Sequence, residues 1–584
     1  MNATDTIPPT PAAPPPQTGA QLLVSSLEAL GADIAFGVPG ESYLAVLDAL
    51  HDSAIRFVLC RQEGGAAFMA AAAGKMTGRP GICFVTRGPG ATNASIGVHT
   101  ARQDASPMLL FVGQVARGML GREAFQEVDY TKFFAPLAKG AFEIDDPARV
   151  PEIVGRAHAL ALSGRPGPVV VSLPEDMLTE VVAAAPLTRA LPTPRPAADP
   201  GDVARVAAAL HGAERPLVLI GGGGWDDPTA PVEGRPTLAG LTRAAEAAGV
   251  AVATGFRRQD LIDNHSTVYI GDAGVGMPPQ VRRAIREADV LVALNLRFGE
   301  TETDGYTLLE VPEPKQRLFH VHPEAGELAK IYRPEAAIQA CGARFAAALA
   351  EALTGQGPRA GIGAAAWVAA LREGVGAQLR PPAQPAGLDM AEVMRTLRDR
   401  LPDDAVLTNG AGNFAIWPTR LFLFGPGHRL LAPQSGAMGH GLPAAVAAKI
   451  MEPGRTVICF AGDGDIQMTM QELGTAMQAG AQPVVLVINN ASYGTIRMHQ
   501  ERHYPARVSG TEIVNPDYTA IGRAYGMHAE RVAETSAFAP AMERALASPT
   551  GALLELIQPT EALTPRETLS QMREKALAAA GGAS

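Results

Sequence analysis

Short, unbroken apolar runs recur along the whole chain, each followed by a longer Ala/Leu-rich stretch. GICFVT, PMLLFVGQ and PVVVSLP fall in the first third, PLVLIGG, DVLVALN and RLFHVH in the middle, and DAVLTNG, TVICFAGDG and PVVLVINN in the last. A strand with one face in water alternates apolar and polar residues, whereas a strand apolar at nearly every position is covered on both faces. Such strands separated by helices form parallel sheets with helices on either side. At 584 residues the chain exceeds what one core supports, since domains usually hold ~100–200 residues. The expected fold class is α/β, as three doubly wound parallel-sheet domains. Ala/Pro- and Gly/Pro-rich stretches at 181–203 and 354–386 read as linkers and leave domains at 18–180, 204–353 and 387–565. A Pro/Ala tail, expected to be disordered, covers 1–17.

Composition removes several function classes. Lys plus Arg total 49 against 59 Asp plus Glu, a net charge of −10, so the basic footprint of a nucleic-acid binder is missing. Four cysteines without CxxC spacing or Cys/His pairing make neither a disulfide framework nor a zinc site. The first twenty residues hold no Lys or Arg and no apolar block, unlike a secretory signal, and no apolar stretch approaches the ~20 residues of a membrane span. A cytoplasmic enzyme with a small-molecule substrate, and with neither nucleic acid nor membrane as partner, is expected.

Phosphate-binding signatures narrow the chemistry. GxxxxGK[ST] is absent. Gly410–Ala415 (GAGNFA) fits G-x-G-x-x-A, but no Asp or Glu follows before Lys449 to hold a ribose, which argues against a dinucleotide oxidoreductase. GGGG at 221–224 reads equally as a plain turn or a phosphate-facing one. The informative segment is 455–498, where TVICF runs into Gly462-Asp463-Gly464-Asp465, a helix is expected over about 468–479, and PVVLVI runs into Asn489-Asn490. Both polar clusters then lie at the carboxyl edge of a βαβ unit, where ligands of open α/β sheets bind. A hard cation carrying a diphosphate needs oxygen ligands, and Asp463 and Asn490 offer a carboxylate and an amide carbonyl. Gly462 and Gly464 let the backbone approach closely.

GDG followed about 25 residues later by NN resembles the signature of thiamine-diphosphate-dependent enzymes. FGVPGESYLAVLDAL, RQEGGAAFMAAAAGKMTGRPGICFVTRGPGATN, SPMLLFVGQV, AFQEVD, SGRPGPVVVSLPEDM and GAMGHGLPAA agree in order over nearly the whole chain after the tail. The resemblance is to the acetolactate-synthase-like branch, the large catalytic subunit. It implies pyrimidine-binding, central and diphosphate-binding domains, with thiamine diphosphate and Mg²⁺ as cofactors. Glu63 matches the carboxyl group that bonds the cofactor's pyrimidine ring, and Met438 the bulky residue wedged between the cofactor's rings. Gly410, Ala411, Gly412 and Asn413 match the loop lying over the cofactor. Gly462, Gly464 and Asp465 accompany the metal ligands Asp463, Asn490 and the carbonyl of Ser492. Gln114, Phe125 and Gln126 match positions on the substrate side.

The implied reaction is decarboxylation of a 2-oxo acid, pyruvate first, with carboligation. Another 2-oxo acid decarboxylase or a carbon–carbon lyase is the alternative within the family. The branch also implies a homodimer or homotetramer, and it leaves open FAD in the central domain and a separate regulatory subunit. The chain departs from the branch at Glu175 and Thr301, which stand for cations, at His499 for a tryptophan, and at His440 for a phenylalanine. These departures are expected to alter the substrate channel rather than the cofactor machinery.

Overall fold

The computed structural model describes residues 14–226, 235–357, 363–384 and 387–581. Three six-stranded sheets, each parallel throughout, make up the body of the protein. With strands numbered in chain order within each sheet, the first (Ile34–Gly37 to Pro168–Pro174) and third (Val406–Asn409 to Ala552–Ile557) both run 2-1-3-4-6-5. The central sheet (Pro216–Ile220 to Ala336–Ile338) runs 3-2-1-4-5-6. In each sheet the strand order reverses direction around the first strand, and that switch point opens a crevice at the carboxyl edge.

Two expectations need correction. The stretch 354–386 is not a plain linker, because Gly363–Gln378 forms a helix within it that buries Val368, Leu371 and Val375. Those residues repeat at spacings of three and four, the helical period, but the Gly/Pro clusters on both sides masked it. The chain also continues past 565 into the helix Leu569–Gly581, whose Arg573 holds the buried carboxylate of Glu501 on the helix Gly494–His503 at 2.7 Å. Of the tail expected at 1–17, residues 1–13 lie outside the described residues, and Gln17–Thr18 pair antiparallel with Val181–Val182.

The element that joins the first domain to the third is the helix Glu63–Thr77. Gln62 caps its start by accepting the Gly65 N–H at 3.0 Å, and Gly78 closes it with φ +70°. From Gly64 to Met76 it is buried on every side, so its sequence, GGAAFMAAAAGKM, shows no amphipathic stripe. Small residues permit the close approach: a Cβ on Gly74 would collide with the carbonyl of Pro107, and one on Gly97 with Ala67. The helix packs on Gly441–Met451 of the third domain, and Ala66, Met69 and Met76 share one apolar core with Leu442, Ala445 and Leu473.

Polar clamps hold both ends of this helix. At its start, buried Glu472 of the third domain accepts the Gln62 N–H at 3.0 Å and the Arg61 N–H at 3.2 Å. Near its end, Lys75 donates to Asp104 at 3.1 Å and to the carbonyl of Ala432 at 2.8 Å. Asp104 also accepts the Gln434 N–H at 2.6 Å, and its own carbonyl accepts from Arg258 of the central domain. All three domains therefore meet at one buried ion pair. Burial lowers the Lys75 pKa to about 8, while Lys75 and Arg258 overcome the opposing effect of burial on Asp104 and hold its carboxyl below the usual range.

Removing one partner of such a pair strands a charge in the interior. Asp104→Ala is expected to cost about 3–5 kcal/mol, read by chemical denaturation, with Lys75→Met added to Asp104→Leu recovering most of the loss. Equal stability of Asp104→Ala and the wild type would show that the junction does not rest on this pair.

Candidate active site

In the third domain, strand 1 (Val406–Asn409) lies between strand 2 and strand 3 (Val457–Gly462), and strand 3 pairs with strand 4 (Val484–Asn489). The segments leaving strands 1, 3 and 4 line a cleft of about 250 Å³ at the switch point. Its walls include Ala411, Gly412, Asn413, Met438, Asp463, Asn490 and Ser492, with Gly462, Gly464 and Asp465. Residues from three loops and the Met438 turn, read separately along the sequence, thus share one cavity. The helix expected over 468–479 is shorter, Leu473–Ala479, with a separate turn at Asp463–Ile466 directly after strand 3.

The two aspartates of the GDGD run have different partners. Asp463 accepts the Gly464 N–H at 3.0 Å and the Asn515 amide at 2.8 Å, and its main-chain carbonyl accepts from Tyr518 at 2.7 Å. Burial raises its pKa. Asp465 accepts the N–H of Ala411 at 3.0 Å and of Gly439 at 2.9 Å, binding the 410–413 loop to the Met438 turn, and burial raises its pKa to about 7. Gly410 has to be glycine here, because a Cβ would overlap the Asp465 carboxylate.

The paired asparagines divide in the same way. Asn489 is consumed internally, donating to Glu555 at 2.7 Å and accepting from Asn515 at 2.9 Å. Asn490 is the one that lines the cleft, with its side-chain oxygen accepting the Ser492 N–H at 3.1 Å. Between them Ala491 adopts φ +51°, a left-handed conformation that costs an alanine about 1–2 kcal/mol. This strained turn brings both Asn490 and Ser492 to the cleft wall.

The donor set suits a hard cation and a diphosphate. It comprises a buried carboxylate, an amide oxygen, main-chain carbonyls, and the Ser492 hydroxyl, which is buried without a partner. Gly462 and Gly464 leave room that a Cβ would fill, at 2.6 Å from Phe414 and from Tyr493. Among the described residues no three His, Cys, Asp or Glu side chains group as a metal site, so a soft-metal centre is not built here.

Glu63 is not among the walls of this cleft. It opens the helix Glu63–Thr77 at the carboxyl edge of the first sheet, half-buried, and accepts from Asn93 at 2.9 Å. Gln126, at φ +64°, packs against Gly88 at the start of the neighbouring helix, and Phe125 beside it is 76% exposed. Gln114 is buried, donating to the Val128 carbonyl at 2.8 Å and accepting from the Val115 N–H at 2.9 Å, bonds that brace that segment. His499 is exposed and stacks on His503, outside the cleft walls.

His440 corrects an expectation. It is buried edge-on against Phe68, and burial lowers its pKa to about 4, so it is a neutral core residue instead of a titratable channel group. Glu175 pairs with Arg87 at 2.8 Å, and Thr301 donates to Glu302 at 2.7 Å. Sequence reasoning missed the roles of Asn515 and Tyr518, which hold Asp463 from outside any motif, and of Asn93 and Glu472, which lie within quoted segments but were not singled out.

At the central sheet the glycine turn packs tightly: a Cβ on Gly222 would strike the carbonyl of Asn295, and one on Gly221 or Gly255 would meet Leu296. Arg165 donates to the carbonyls of Arg102 at 2.7 Å and Gln103 at 2.8 Å.

Comparison with known proteins agrees with this geometry. Residues 17–133 match the thiamine pyrophosphate enzyme N-terminal TPP binding domain, 203–349 the central domain and 410–556 the C-terminal TPP binding domain. An acetolactate synthase large subunit of Parasynechococcus marenigrum is 32% identical over 558 residues, covering 93% of this chain and 88% of the relative. One of Corynebacterium glutamicum is 32% identical over 550 residues, covering 91% and 85%. The acetolactate synthase isozyme 2 large subunit of Escherichia coli is 29% identical over 571 residues, covering 95% and 99%.

Because Asp465 links two cleft loops through Ala411 and Gly439, Gly410→Ala is expected to break both contacts. Hydrogen exchange should then speed at the amides of Ala411 and Gly439 while the central sheet stays protected. Unchanged exchange at both amides would contradict this role of Gly410.

Proposed function

The chain belongs to the thiamine pyrophosphate enzymes, and from that premise we propose that it decarboxylates pyruvate and joins the remaining fragment to a second carbonyl, as an acetolactate synthase does. The observation that carries this reading is the cleft at the third domain's switch point, where glycine-lined loops and hard oxygen donors converge on a space fit for a metal diphosphate. Bound thiamine diphosphate supplies the electron sink that allows a 2-oxo acid to lose CO₂.

The chain's residues have separate tasks. Asp463, Asn490 and the carbonyl of Ser492 would hold Mg²⁺ with the diphosphate. Met438, projecting from a turn tied down by Asp465, would set the angle between the cofactor's rings. Glu63 would hydrogen-bond the pyrimidine ring and stabilise its proton-accepting form, with Asn93 keeping the carboxyl group in place. General acid–base groups of this kind are worth about 10²–10⁴ in rate.

Glu63 lies outside the cleft of its own chain, which supports a site shared between two copies. Exposed apolar residues stand near both halves: Phe125 and Ile96 by Glu63, Met468 and Ile496 by the cleft. A homodimer would bury them and bring Glu63 of one chain to the cleft of the other. The three relatives described above are named large subunits, which supports a smaller partner subunit as well. Among the described residues no helix is long and apolar enough to cross a membrane.

Two measurements test this reading. Glu63→Gln and Asp463→Ala are each expected to be inactive, the second through lost thiamine diphosphate affinity in calorimetry. Mixing the two variants should restore activity, because a heterodimer then holds one intact site. No recovery after verified subunit exchange would count against a shared site.

The second measurement concerns substrate. With Glu175 paired to Arg87 and Thr301 in place of a cation, a second anionic 2-oxo acid is weakly attracted, so an aldehyde should compete well as acceptor. Chiral product analysis on a panel of 2-oxo acids should find pyruvate consumed, with 2-acetolactate formed alone and the mixed hydroxyketone formed when aldehyde is added. Consumption of a different 2-oxo acid but not pyruvate would replace the substrate, and consumption of none would refute the activity.

A further inference from the structure

A second and larger cleft, of about 490 Å³, lies between the helices Pro279–Glu287 and Gly363–Gln378 of the middle of the chain and residues 416–420 and 565–566. It shares no lining residue with the cofactor cleft. Four arginines line it, Arg283, Arg380, Arg420 and Arg566, and no Asp or Glu does. In a chain of net charge −10 that is a local reversal of sign.

Three of the arginines have little carboxylate compensation. Among the described residues Arg566 donates to the main-chain carbonyls of Gly276 and Met277, and Arg380 to the carbonyl of Gly376. Arg283 has Glu287 at 3.9 Å on an exposed face. Arg420 is 4% exposed and ion-paired to Asp272, with a further bond to the Val275 carbonyl, yet its Nε is buried without a partner. The rest of the wall mixes apolar prolines, alanines and Ile416 with Gly374 and the amides of Gln280 and Gln378.

We propose that this cleft binds a multiply charged organic phosphate with a flat, apolar body, of the size of a nucleoside diphosphate. Arginine forks bind phosphate oxygens in pairs and from several directions, which lysines do not. The volume falls within the range of ~300–1,000 Å³ of small-molecule pockets and far exceeds what a bare diphosphate fills. The proline and isoleucine walls take the flat body, and the arginines take the phosphates. The helix Ile416–Leu421, which carries Arg420 into the cleft, begins just after the Gly410–Asn413 loop of the cofactor cleft. The proposal stands on these residues alone and does not depend on the reaction assigned above.

The test is calorimetric titration of the full-length protein, saturated with thiamine diphosphate and Mg²⁺ so that the cofactor cleft is filled. ADP and inorganic diphosphate are the two probes. ADP should bind once per chain and at least tenfold more tightly than inorganic diphosphate. Arg566→Gln and Arg380→Gln should each weaken ADP about tenfold, and together about a hundredfold, as expected for charge-assisted bonds of roughly 1.4 kcal/mol each. Among the described residues both side chains bond main-chain carbonyls, so the fold should persist, and thermal melting of each variant checks it. If either fails to fold, Arg283→Gln takes its place in the same titration. Absence of saturable ADP binding, or ADP affinity unchanged in the double variant, would overturn the site. Inorganic diphosphate binding as tightly as ADP would overturn the assignment of an organic body.

Discussion

The helix Glu63–Thr77 is the member on which the arrangement depends, because it is held at both ends by the third domain. Glu472 takes up the free N–H groups of Arg61 and Gln62 at its start, and Lys75 reaches Ala432 and Asp104 near its end. Between these clamps the all-buried Ala/Gly surface admits close packing with Gly441–Met451. Each clamp is a buried polar group whose release would leave a donor or charge unsatisfied, so the helix has one position relative to the third domain. That position directs Glu63 away from its own chain's cleft, and the proposal of a site completed by a second copy follows from it.

The same clamp reaches the cofactor cleft. Ala432 and Gln434, bound by Lys75 and Asp104, directly precede the turn Gly436–Gly439 that carries Met438. Asp465 then ties that turn to the 410–413 loop. A chain of buried polar contacts therefore runs from the first domain, through the three-domain junction, to the residues proposed to shape the cofactor. Its anchors, Lys75, Asp104 and Asp465, are buried and each is hydrogen-bonded, which restricts how the connected turns can move.

Within the cleft, identical residue types take opposite roles according to what lies opposite them. Asp463 and Asn490 line the cavity, whereas Asp465 ties the Ala411 and Gly439 amides together and Asn489 is turned to Glu555 and Asn515. His440 shows the same effect: beside Phe68 in a closed core it is neutral, although its place in GAMGHG reads as part of a channel.

Sequence alone determined the α/β class and its three sheets, because a strand covered on both faces must be apolar throughout and that pattern is local. It determined the GDG and NN clusters as one ligand edge too, since a βαβ unit always brings successive strand ends to the same side. Relationships between distant segments were decided by tertiary structure: that Asn515 and Tyr518 hold Asp463, that Glu472 positions the start of the Glu63 helix, and that Glu63 stands apart from the cleft of its own chain. The helix Gly363–Gln378 lay hidden between Gly/Pro clusters, and four arginines spread from 283 to 566 form one cleft only after folding. Strand character is set by neighbours within a few residues, but the partner of a buried charge is chosen by packing across hundreds, and no local pattern records it.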